Sequence, residues 1–75
     1  MKRAGTVVGI AQGVAVARTV DEAVPDIGTP VIDESLDDVG RVVDVFGPVE
    51  RPYLAVTANR ERLAPLVGTV LYARD

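Results

Sequence analysis

The sequence predicts an all-β fold: one domain over residues 1–75, built as a small six-stranded antiparallel β-barrel. Three observations carry that prediction. Fifteen of the 75 residues are valine and three more are isoleucine, and stiff, β-branched side chains suit a pleated surface. The apolar residues fall into short period-two segments separated by glycine, proline or acidic clusters, the pattern of strands joined by turns. A Gly-x-Val-aliphatic echo recurs at Gly5-Thr6-Val7-Val8, Gly40-Arg41-Val42-Val43 and Gly68-Thr69-Val70-Leu71. Its spacing is too uneven for a solenoid. Glycine near the start of a strand instead permits the bend or bulge that a small closed sheet needs at its corners. Closure also removes exposed sheet edges, an aggregation hazard in a chain so rich in valine.

Taken in order, a first strand is expected over 6–11, with a turn at Gln12-Gly13 and a second strand over 14–19. Residues 21–28 are polar, contain Pro25 and Gly28, and read as loop. A short third strand covers 30–33, and an acidic turn covers 34–38. The strand over 39–46 has the clearest pattern, 47–52 turns the chain back, and 53–57 returns. One helical turn is expected over 59–64 with Asn59 as N-cap, and a closing strand over 66–73.

Composition narrows the chemistry. With no cysteine there is no disulfide framework and no thiolate metal site. With no histidine the commonest general base and metal ligand is missing. The formal charge of −3 argues against a domain that binds RNA mainly by neutralising its phosphates, though a local basic patch is compatible with it. Seven of the eight basic residues are arginine, and the acidic, lysine-poor balance is compatible with a salt-rich cytoplasm. No apolar run approaches the roughly 20 residues of a membrane helix. Lys2, Arg3 and the Ala15-Val16-Ala17 triplet imitate a secretory leader. Gly5, Gly9, Gln12 and Gly13 interrupt its apolar stretch, however, and Val14, Val16 and Val20 read as strand.

Candidate chemical groups are few. Asp33, Glu34, Asp37 and Asp38 lack the spacing and central glycine of a calcium loop and read as a solvated turn. Asp44, on one face with Val42 and Phe46 by simple alternation, has no identifiable second acid, base or nucleophile beside it. Val43 and Val45 then form the other face, turned to the core or to an interface. Arg51, Arg60 and Arg62 lack strand-borne aromatic neighbours and read as scattered surface charge rather than a base-stacking platform. No catalytic residue, metal site or cofactor site is predicted.

The segment "DVFGPVERPY", Asp44 to Tyr53, concentrates the chain's single phenylalanine, one of its two tyrosines and two of its five prolines. Gly47-Pro48 gives freedom of φ followed by a fixed φ, and Pro52 restricts Arg51 to extended geometry. The turn is therefore stiff, with Phe46 and Tyr53 bracketing it across two strands. Two readings follow: an aromatic plug closing a barrel end, or a preorganised apolar surface that loses little entropy on docking.

That segment, with "VGRVV" before it and "LAV" after it, resembles the core signature of the Gar-type subunit of archaeal H/ACA ribonucleoproteins. "MKRAGTV" resembles the family's start, "QGVAVART" its second strand and "VGTVLY" its last, so the likeness covers nearly the whole chain in collinear order. It is least marked between Asn59 and Leu66. The resemblance implies a barrel similar to one in translation factors and some reductases. It implies no enzyme activity, no cofactor and an archaeal cytoplasmic setting. It also implies a non-catalytic subunit that binds the complex's pseudouridine synthase subunit and promotes guide-RNA-directed pseudouridylation of ribosomal RNA through substrate loading and product release. Guide and substrate RNA are then met through the complex, with no membrane and no small-molecule substrate involved. On this likeness the synthase-facing residues are Phe46, Gly47, Pro48, Val49, Pro52 and Tyr53. The main alternative is a small nucleic-acid-binding barrel acting alone, which predicts a basic groove with exposed aromatics. A barrel detached from a translation factor is a third reading, without the phosphate loop of such proteins.

Overall fold

A computed structural model describes residues 2–20, 24–59 and 62–74. Six strands form β1 (Lys2–Ala11), β2 (Val14–Arg18), β3 (Pro30–Ile32), β4 (Asp38–Phe46), β5 (Tyr53–Ala58) and β6 (Val70–Ala73). They close into a barrel in the order β1-β2-β5-β4-β3-β6, with every neighbouring pair antiparallel. The all-β, six-stranded expectation holds. At Gln12-Gly13 both residues adopt positive φ (51° and 79°), the turn geometry that matches the natural twist of a two-residue hairpin.

Boundaries differ in informative places. β1 begins at Lys2, four residues earlier than expected, because its N-terminal half pairs with β6: Lys2 opposes Ala73 and Arg3 opposes Tyr72. The last strand begins at Val70, because 64–66 fold into a 3₁₀ turn headed by Leu63 with no side-chain cap. Arg60 and Glu61, part of the expected helical turn over 59–64, lie outside the described residues. Asn59 ends β5's extension, its N–H donating to the Val39 carbonyl at 2.8 Å.

The core is made of small residues. Ala4, Val7, Ala15, Ala17, Val31, Val39, Val42, Leu54, Val56 and Leu71 fill the barrel, and the 3₁₀ turn contributes Leu66. Interior alanines on β2 leave room for the larger Leu54 and Leu71 from the other strands, the size alternation that fills a narrow barrel. Phe46, Tyr53 and Tyr72 all stay outside this core. The aromatic residues of the hairpin therefore do not plug the barrel.

Simple alternation fails where the ladder slips. The register shifts between Arg3 and Gly5, Val7 and Gly9, and Val42 and Asp44, each placing two residues against one on the partner strand. The shift in β4 corrects the expected faces. Val42 is buried, whereas Val43, the extra residue, is 42% exposed. Asp44 and Phe46 are exposed as well, while Val45 packs on the core. Val42 and Asp44 thus do not share a face, nor do Val43 and Val45. Two of the three echo glycines also have a sharper cause than bending, whereas Gly68 sits at φ 92° with open space around its missing Cβ. A Cβ on Gly5 would lie 2.5 Å from the Arg18 carbonyl oxygen, and one on Gly40 would overlap the Thr57 carbonyl. At both positions the neighbouring backbone comes too close for any side chain.

Candidate partner-docking site

β4 and β5 form a long hairpin whose loop, 47–52, projects from one end of the barrel. Phe46 and Tyr53 face each other directly in the ladder. Their rings stack with centroids 5.7 Å apart and planes inclined by 21°, an arrangement worth about 0.5–1.5 kcal/mol beyond its buried area. The stack continues across the next strand. Tyr53 opposes Arg18 of β2, whose guanidinium lies over the tyrosine ring at 5.2 Å and whose Nη1 donates to the Tyr53 hydroxyl at 3.2 Å. Phe46, Tyr53 and Arg18 thus form one continuous row of flat groups on the outside of the barrel. Among the described residues Arg18 Nε is buried without a hydrogen-bond partner, and the Tyr53 ring and hydroxyl hold the guanidinium.

The loop itself is anchored from below. Gly47 sits at φ 89°, and a Cβ there would lie 2.9 Å from the Tyr53 ring, so both the backbone and the aromatic stack require glycine. Pro52 is buried and its carbonyl accepts two bonds from Thr19, from Oγ1 at 2.8 Å and from the backbone N–H at 3.2 Å. Arg51 Nε donates to the Thr19 carbonyl at 2.9 Å. Arg51 therefore ties the loop to the residue that follows β2 rather than standing as scattered charge. Arg62 is exposed, and Arg60 lies outside the described residues.

With its base fixed, the loop presents apolar groups to solvent. Val49 is 97% exposed and Phe46 44%, and Gly47 and Pro48 are exposed beside them. Val20, exposed next to Thr19, lies at the same end of the barrel. The six residues singled out from sequence thus divide. Phe46, Gly47, Pro48 and Val49 form the open surface, Tyr53 is half-buried as the middle of the stack, and Pro52 is the anchor. Sequence reasoning missed Arg18, Thr19 and Val20, which approach the loop only once the β2–β5 register is known. The one available signal was an arginine inside a valine strand.

Elsewhere the acidic turn is solvent-exposed over residues 34–38, as expected, and is braced by its own hydrogen bonds. Asp33 Oδ1 accepts from the N–H groups of Ser35 at 2.8 Å and Asp37 at 3.1 Å, and Asp38 pairs with Arg74 at 3.2 Å. Asp44 accepts from the next backbone N–H, that of Val45, at 2.8 Å. No group of three or more metal-ligating side chains occurs among the described residues. None of their helices is long and apolar enough to cross a membrane.

A closed six-stranded barrel with a stiff hairpin that exposes apolar groups at one end has the form of a small binding module. The comparison with known families makes this specific. The profile of the Gar1/Naf1 RNA binding region matches residues 1–74, and the chain belongs to that family. It is a family of RNA-binding, H/ACA ribonucleoprotein-related domains rather than a known catalytic one. An uncharacterised protein of Methanothermobacter thermautotrophicus is 30% identical over 77 aligned positions, covering 96% of this chain and 82% of that protein.

Proposed function

We propose that this chain is a non-catalytic subunit of an H/ACA guide-RNA ribonucleoprotein, acting in an archaeal cytoplasm. It binds the pseudouridine synthase subunit and promotes RNA-guided pseudouridylation of ribosomal RNA by assisting substrate loading and product release. The observation that carries this reading is the exposure of Phe46 and Val49 on a loop fixed by the Thr19–Pro52 bonds. Aromatic and aliphatic groups held in place before binding convert contact area into affinity with little ordering cost. Membership of the Gar1/Naf1 family supports the choice of complex.

The contact surface is Phe46, Gly47, Pro48 and Val49, with Tyr53 and Pro52 setting their positions. The net charge of −3 favours a protein partner for this face over a nucleic acid. A reconstituted complex tests the role: omitting this chain is expected to slow multiple turnover more than it weakens guide-RNA binding. An unchanged turnover rate would refute it.

A further inference from the structure

At the opposite end of the β4–β5 hairpin the surface has a different chemistry. From the Phe46–Tyr53 pair to the Gly40–Ala58 pair the ladder runs six residues along β4, or about 20 Å at the rise of a strand. There a shallow cavity of about 450 Å³ opens on the outer face. Arg41 and Arg74 flank it on either side of Pro30. Arg41 opposes Pro30 in the β3–β4 ladder, and the Arg74 N–H donates to the Pro30 carbonyl at 2.9 Å. Two strand spacings therefore separate the two backbones, about 9–10 Å, with only a proline ring between them. Gly40 adds no side chain to the wall, and Thr57 and Asn59 supply polar groups to it.

The charges in this groove are not cancelled. Arg41 Nη1 donates to the Gly28 carbonyl at 3.1 Å, which fixes the guanidinium while leaving its charge without a carboxylate partner among the described residues. Asp38 engages only Nη1 of Arg74, in a pair exposed on both sides, and such a pair is worth little in water. Among the described lining residues, two arginines stand against one aspartate, which makes this lining positive on a chain of net charge −3. Arginine forks hold phosphate oxygens in a fixed, bidentate geometry.

We infer that this groove is an oxyanion site for backbone phosphates of RNA, with Arg41 and Arg74 as the phosphate ligands and Asn59 as a neutral hydrogen-bonding neighbour; the Thr57 hydroxyl donates to the Arg41 carbonyl at 3.3 Å and so braces that strand. The inference rests on the family's RNA-binding character and not on the docking role of the opposite loop. It places protein contact and RNA contact at the two ends of one hairpin, so that the barrel spans the space between a protein partner and an RNA strand.

The test measures binding of a labelled RNA hairpin to the full chain by fluorescence anisotropy over a series of chloride concentrations. Wild type is compared with Arg41→Gln/Arg74→Gln and with Arg51→Gln, which removes one charge at the far end. Removing one arginine that neutralises a phosphate is expected to lower the slope of log affinity against log salt by about one. The double variant should therefore flatten the slope by about two, and Arg51→Gln much less. RNA should also shift the Nε–H resonances of Arg41 and Arg74. The inference is overturned if the double variant keeps the wild-type slope, if Arg51→Gln flattens it as much per charge, or if wild type binds no RNA at low salt. It is overturned equally if inorganic phosphate shifts those resonances and RNA does not, since the groove then takes free phosphate. Retained synthase binding by the double variant separates this outcome from the docking role.

Discussion

Thr19 and Pro52 are joined twice through one carbonyl: the threonine hydroxyl and its backbone N–H both donate to the Pro52 oxygen, at 2.8 and 3.2 Å. Thr19 is fully buried, and its hydroxyl is paired there. A buried hydroxyl with a partner gives net stability of about 1 kcal/mol, and here it also holds the docking loop. Thr19→Val keeps the shape and removes the hydroxyl donor while the backbone bond survives. We expect a loss of about 1 kcal/mol in urea unfolding and weaker binding of the synthase subunit through a looser loop. Unchanged amide-exchange protection at Tyr53 and Arg51 would contradict the anchoring role.

Gly47 combines a left-handed backbone with contact against the Tyr53 ring. Gly47→Ala incurs the left-handed penalty of about 1–2 kcal/mol and pushes the ring away from Phe46. The predicted signature is a fall in unfolding midpoint together with changed ring-current shifts for both aromatics. A fall without those shifts would mean that the backbone alone requires glycine.

Val49 separates binding from folding. Nearly the whole side chain is in solvent, so Val49→Asp is expected to leave stability within about 0.5 kcal/mol of wild type. The same change places a charge in the centre of the proposed contact, where an unpaired buried charge is poorly tolerated. Calorimetric titration with the synthase subunit should then show affinity falling at least tenfold. Equal affinity would remove Val49 from the interface.

Leu54 marks the other extreme. It is fully buried among Val and Ala side chains on the inner wall, and Leu54→Ala opens a cavity whose cost is about 2–5 kcal/mol. A domain this small buries only about 60% of its unfolded surface, so the variant is expected to be largely unfolded at physiological temperature by circular dichroism. A cooperative transition near the wild-type midpoint would show that the barrel collapses around the vacancy.

Much of this was legible in sequence because strands, turns and glycine corners are local features. Valine periodicity and the Gln12-Gly13 and Gly47-Pro48 signals located all six strands along the chain. The faces of β4 were not legible, because one extra residue at Val43 reverses the alternation between Val42 and Asp44, and no local signal distinguishes a bulge from a continuous strand. The loop's stiffness was read from its prolines and glycine. Its anchoring was not, since Thr19 and Arg18 reach Pro52 and Tyr53 only through a register set 33 and 35 residues away. Arg41 and Arg74 likewise become neighbours only when β3 lies between β4 and β6.

The most direct test of the account is affinity co-purification of the synthase subunit with this chain, wild type against Phe46→Ala, in the salt of the source organism. Phe46 is an outward aromatic, so its truncation should spare the fold, verified by an unchanged circular dichroism spectrum, and cost the complex upwards of about 1 kcal/mol, as expected for an aromatic anchor. The account predicts that wild type retains the synthase subunit and that Phe46→Ala retains markedly less. Failure of the wild type to retain it, or equal retention by a folded Phe46→Ala, would contradict the account.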